Sequence, residues 1–141
     1  MDIKKQNAIE LEEILEKIGH EDAVIQTRND WVLRVYYSEK TAESVSIEMC
    51  LSTDYQGESL FDPLMSIDLT VDDNGAAISA SPVYYLSRTP FVDVEIYAEG
   101  NPSCYNPKLY EKPGELDSRL AEWLKNIKIQ GYLSDGTVSR L

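Results

Sequence analysis

An α+β fold is predicted from three observations. Short runs that alternate apolar and polar residues fill most of the chain between residues 23 and 97, turn formers separate consecutive runs, and one amphipathic helical stretch stands toward each end. Consecutive strands joined by short turns pair antiparallel, so the expectation is a sheet of about five to six strands with an N-terminal and a C-terminal helix packed on one face.

The first helix is expected over residues 5–18. Leu11, Ile14, Leu15 and Ile18 fall at i, i+3, i+4 and i+7, while Glu10, Glu12, Glu13, Glu16 and Lys17 take other positions. Gly19 ends it. Residues 23–27 and 31–37 are rich in β-branched and aromatic side chains and flank the turn formers Asn29 and Asp30, which describes a hairpin. Val45, Ile47, Met49 and Leu51 then alternate with Ser46, Glu48 and Cys50, giving a third strand with one buried face. Residues 54–63 have turn chemistry without a clean period and read as a loop.

A fourth strand carries Met65, Ile67, Leu69 and Val71, and runs into Asp72-Asp73-Asn74-Gly75, the strongest hairpin signal in the chain. A weaker fifth strand follows from Ala76 to about Tyr85, where Pro82 marks an edge or a bulge. Residues 91–97 alternate again as a sixth strand, and residues 99–114, with three prolines, read as a loop. Leu116, Leu120, Trp123, Leu124 and Ile127 make one apolar stripe on the second helix, which Gly131 caps. Residues 134–141 lack a pattern: they fray or add a short terminal strand.

The 141 residues make one domain, 1–141, long enough to bury roughly two thirds of the surface of the unfolded chain. No apolar run approaches the roughly 18 residues of a membrane helix, and the N-terminus lacks a signal-peptide core, so a cytoplasmic address is expected. Cys50 and Cys104 belong to no CxxC pair, which leaves two idle thiols.

Charge is the most informative feature for function. Residues 39–99 hold twelve carboxylates against Lys40 and Arg88, a balance of −10 within a chain total of −12. A block this one-sided is either a solubility device or a surface for a cationic partner. The net field repels polyanions, so direct nucleic-acid binding is not expected, and Lys108, Lys112, Arg119, Lys125 and Lys128 read as solvated cations near the second helix. The single histidine, His20, sits just past the first helix and reads as a cap or surface residue rather than part of a triad. Asp72, Asp73 and Asn74 crowd one turn but lack the spaced ligand ladder that wraps calcium. Asp54, Glu58 and Asp62 offer carboxylates for hydrolysis, yet with twenty-five acids accidental pairs are certain. There is no glycine-rich phosphate loop.

Gly57, Asp62-Pro63, Tyr110-Glu111, the run Leu120-Ala121-Glu122-Trp123-Leu124-Lys125-Asn126-Ile127 and the pair Gly131-Tyr132 resemble an uncharacterised domain family of small proteins on bacterial plasmids, conjugative transposons and phages. The resemblance covers roughly residues 45–133. It implies an accessory protein of a mobile element and brings no catalytic residues with it.

The sequence therefore leads to a non-enzymatic acidic protein, without cofactor or metal, that binds a basic or nucleic-acid-binding protein, as a nucleic-acid mimic or defence inhibitor would. Its expected contact face is Asp54, Tyr55, Glu58, Asp62, Asp72, Asp73, Glu95, Tyr97 and Glu99, forming one continuous acidic, tyrosine-bearing surface. Two other readings stay open: a small carboxylate- or metal-dependent hydrolase using residues 54–62, and a structural or regulatory subunit that pairs with itself through a strand edge.

Overall fold

Helix α1 (Ile3–Ile18) leads into six antiparallel strands, β1 (Ala23–Gln26), β2 (Val32–Glu39), β3 (Ser44–Tyr55), β4 (Glu58–Val71), β5 (Ala77–Arg88) and β6 (Phe91–Glu95). Helix α2 (Glu115–Ile129) and strand β7 (Thr137–Arg140) complete the chain. The computed structural model describes residues 2–88, 91–95 and 114–141. Strands β1 to β6 are a meander, and the chain end returns to pair β7 with β1, which gives one seven-stranded sheet ordered β6-β5-β4-β3-β2-β1-β7. The α+β class and the helices on one face agree with the sequence reading.

Both helices cover the face that carries Ala23, Ile25, Leu33, Val35, Ile47, Met49, Met65, Ile67 and Leu69, and close over it with Leu11, Leu15, Ile18, Leu120, Leu124 and Ile127. They run in parallel. Lys4 Nζ and Asn7 Nδ2 reach Asp117 near the two N-termini, at 2.9 and 3.0 Å, and Lys17 Nζ reaches the Leu133 carbonyl at 3.0 Å near the other ends. Between them Lys128 Nζ bridges Glu10 at 2.6 Å and Glu13 at 3.2 Å. These two hydrogen-bonded carboxylates raise the Lys128 pKa.

Two departures from the sequence reading have local causes. Residues 54–63 do not form a loop: β3 runs on to Tyr55 and β4 begins at Glu58, joined by Gln56 and Gly57 alone. Their φ values of 51° and 81° are those of a two-residue hairpin turn whose backbone twist matches the strands, and Gly57 takes its place there without steric cost. The alternation is hidden because the register slips between the pairs Cys50↔Leu64 and Ser52↔Phe61, at the cis Asp62–Pro63 bond. Pro82 lies on an interior strand, opposite Ile67, where a second slip accommodates the missing donor, so the bulge reading holds and the edge reading does not.

The chain end takes the second of its two expected forms, a short terminal strand, and does not fray. Residues 137–140 pair with residues 23–26, and the Arg140 guanidinium donates to the Ile18 carbonyl. Tyr132, fully buried, anchors this return by donating its hydroxyl to the Trp31 carbonyl at 2.6 Å. The chain passes so close at Gly136 that a Cβ there would lie 2.2 Å from the Tyr132 carbonyl oxygen and 2.4 Å from Ile25 Cγ2. Of the sixth strand, residues 91–95 are formed; the expected loop at 99–114 lies outside the described residues except for Gly114, the N-cap of α2.

Candidate functional site

The expected contact residues do not share one surface. Asp54 and Glu58 stand together at the β3–β4 turn, both exposed, with Asp54 Oδ1 accepting from the Ser59 hydroxyl at 3.1 Å. Asp72 and Asp73 stand at the opposite end of β4, in the turn to β5. The fourteen-residue strand β4, which begins at Glu58 and ends beside Asp72, spans the distance between the two groups, on the order of 40 Å at about 3.3 Å per residue. Asp62 lies along β4, half-buried, and accepts from the Ser87 hydroxyl at 3.3 Å. Tyr55 is the last residue of β3, and Glu95 is placed by register opposite Tyr84 on β6. Tyr97 and Glu99 lie outside the described residues. The continuous acidic face is thus corrected to acidic ends. Strand pleating sends neighbouring carboxylates to opposite faces, whereas turns can hold them side by side.

One end is concave. A groove of about 580 Å³ opens between α1 and the β4–β5 turn, with Ile9, Ala76 and Ala77 as apolar floor and Glu12, Glu13 and Glu16 along one rim. The helical period of α1 sets this rim: Glu12, Glu13 and Glu16 fall beside the buried Leu11, Ile14 and Leu15. Across the groove, Asp72 Oδ1 accepts from the backbone N–H groups of Asn74 and Ala76, at 2.9 Å each, which commits that carboxylate to holding the turn. Asp73 beside it is exposed. Glu39 and Glu43 belong to the same end, where the Val71 N–H donates to the Glu43 carbonyl. Among the described residues Glu16, Glu39, Glu43, Asp72 and Asp73 enter no salt bridge.

His20 closes one end of the groove. Its Nε2 lies 2.7 Å from Glu12 Oε1, and its ring meets that of Tyr37 edge-on with centroids 5.7 Å apart. Burial and the charges of Glu39 and Glu12 push the Tyr37 hydroxyl above its ordinary pKa. Among the described residues no three His, Cys, Asp or Glu side chains converge as metal ligands, and no helix is long and apolar enough to cross a membrane.

The tyrosines divide between core and surface. Tyr85 and Tyr132 are buried, while Tyr36 and Tyr84 stand on the sheet face away from the helices, in one cross-strand row with Glu48 and Ser66 between them. Cys50 lies on that same face, 2 % exposed, and burial pushes its thiol up to about 11, with Glu48 adding and Arg34 opposing. Cys104, Lys108 and Lys112 lie outside the described residues. Of the expected basic patch, Lys128 is held by Glu10 and Glu13, and Arg119 sits over the Tyr85 ring at 5.8 Å. Compared with known proteins, the chain matches no family model, no curated protein and no solved structure.

The sequence reading gave Glu12, Glu16 and Ile9 no site role. Ile9 carried a signal: it lies off the helix's buried stripe and is 41 % exposed, so its apolar surface needs another partner.

Proposed function

We propose that this chain is a non-catalytic binding protein that seats a basic, amphipathic segment of a partner protein in the groove between α1 and the β4–β5 turn. The observation that carries the reading is the pairing of an apolar floor, Ile9, Ala76 and Ala77, with a carboxylate rim that the chain's own cations do not fully neutralise. An apolar floor gives contact area, and the rim selects the sign of the partner and speeds encounter. The resemblance to proteins of plasmids, conjugative transposons and phages supports an accessory role on a mobile element. Nucleic-acid-binding proteins are the basic partners most suited to that role, since their phosphate-contacting surfaces carry the matching charge.

Capture from host lysate, run in parallel with the wild-type chain and a Glu16→Lys/Asp73→Lys variant, tests the reading. A basic protein should be retained at low salt, released as ionic strength rises, and lost with the variant. Capture of only neutral or acidic proteins, or equal capture by the variant, refutes it.

A further inference from the structure

A second concavity, of about 690 Å³, lies on the helix-free face of the sheet between the β1–β2 loop and the β3–β4 turn, at the end remote from the groove. Arg34 projects from β2 toward this face and is half-buried. Its Nε donates to the Oγ of Ser52 at 2.8 Å, a residue itself 3 % exposed, so the guanidinium plane is fixed. Among the described residues the four N–H bonds of its terminal amino groups meet no acceptor and Arg34 enters no salt bridge.

This is unexpected in a chain with twenty-five acids and thirteen bases. Glu48 is one register step away, diagonal to Arg34, and is not bridged to it. Two further carboxylates, Asp30 and Asp54, line the same hollow without closing on the guanidinium. Trp31, Val32 and Leu60 supply apolar wall between the charged groups.

We propose that this hollow binds a small amino-acid-type zwitterion with an apolar side chain. The ligand carboxylate takes the open fork of Arg34 in a bidentate pair, its ammonium faces Asp30 and Asp54, and its side chain lies against Trp31. The chemistry excludes neighbouring classes. A dianion meets two carboxylates, and a simple amine leaves the withdrawn guanidinium unpaired. The volume falls within the roughly 300–1,000 Å³ range of small-molecule sites. The site is independent of the basic-partner reading.

Titration of the full ¹⁵N-labelled chain with L-phenylalanine and L-leucine, followed by two-dimensional NMR, tests it. Saturable shifts centred on Trp31, Arg34, Ser52 and Asp54 are expected. Phenethylamine, which lacks the carboxylate, and 3-phenylpropionate, which lacks the ammonium, should each bind at least tenfold more weakly than L-phenylalanine. Arg34→Gln should weaken L-phenylalanine at least tenfold. The double variant Asp30→Asn/Asp54→Asn, confined to exposed side chains, should weaken L-phenylalanine while leaving 3-phenylpropionate unchanged or tighter. Absence of saturable shifts with either amino acid, or equal binding of L-phenylalanine and 3-phenylpropionate, overturns the proposal.

Discussion

Gly136→Ala puts the docking of the C-terminal return to a quantitative test. The added Cβ would lie 2.2 Å from a backbone oxygen and 2.4 Å from a buried methyl, 1 Å or more inside the 3.4 Å at which ordinary contact begins. Neither neighbour yields readily. The oxygen belongs to Tyr132, whose side chain is fully enclosed and tied to the Trp31 carbonyl, and Ile25 is at the centre of β1 between β2 and β7. Overpacking costs about 1–3 kcal/mol where side chains can shift, so a clash with fixed backbone belongs at about 3 kcal/mol. For a chain of this length that lowers Tm by roughly 10 °C, at about 3 °C per kcal/mol. Gly57→Ala is the internal control: φ is +81° with nothing within 4 Å, so only the left-handed backbone penalty of about 1 kcal/mol applies. Thermal unfolding followed by far-UV circular dichroism reads both variants. If Gly136→Ala melts within 3 °C of Gly57→Ala, the tight return of the chain onto β1 is wrong.

Tyr132→Phe removes the donor to the Trp31 carbonyl and should cost about 1 kcal/mol in urea unfolding at neutral pH. With Cys104→Ser as background, Cys50 should react with iodoacetamide at pH 8 more than 100-fold slower than a peptide cysteine, because a thiol at about 11 is only about 0.1 % thiolate there. Mass spectrometry over time checks this. The folded pKa of Lys128 is raised above the ordinary 10.5, so its contribution is complete below that pH and is lost as pH rises through the folded value. Lys128→Met should therefore differ from wild type by a few tenths of a kcal/mol below pH 10, since the ammonium is 42 % exposed, and the difference should close at higher pH.

The two helices and the inner rows of β2, β3 and β4 were legible because each carries an unbroken period, as at Leu11, Ile14, Leu15 and Ile18 or at Val45, Ile47 and Met49. The continuation of β3 and β4 through residues 54–63 was not. Leu60 and Phe61 are consecutive apolar residues, and the register slip beside Pro63 erases the alternation on which recognition depends. Strand β7 carries no pattern, since Thr137, Ser139 and Arg140 are exposed; it forms because β1 offers a free edge and Tyr132 brings the chain to it. At the site, sequence counted the charge but not its direction. Arg34 was readable as a lone cation in the apolar run Trp31-Val32-Leu33-Arg34-Val35-Tyr36, but its lack of a carboxylate partner among the described residues is a tertiary fact.

Antiparallel pairing explains why the acids gather at the two sheet ends and why those ends differ. A carboxylate inside a ladder must either face the core or share the open face with its cross-strand neighbours, as Glu48 does between Tyr36 and Ser66, whereas a turn exposes it freely. Helix α1 borders the end at the β4–β5 turn, adding Glu12 and Glu16 and a concave apolar floor. The other end is backed on its core side by Tyr132, just past α2, and on its helix-free face it sets Arg34 in one hollow with Asp30 and Asp54. Because a strand length separates the two, substitutions should act independently, as distant sites generally do. Glu16→Lys/Asp73→Lys should abolish capture of a basic partner and leave L-phenylalanine binding within twofold of wild type, with Arg34→Gln giving the reverse. Loss of both activities in either variant would mean that the ends are coupled through the sheet, and that the division of the surface argued from its geometry fails.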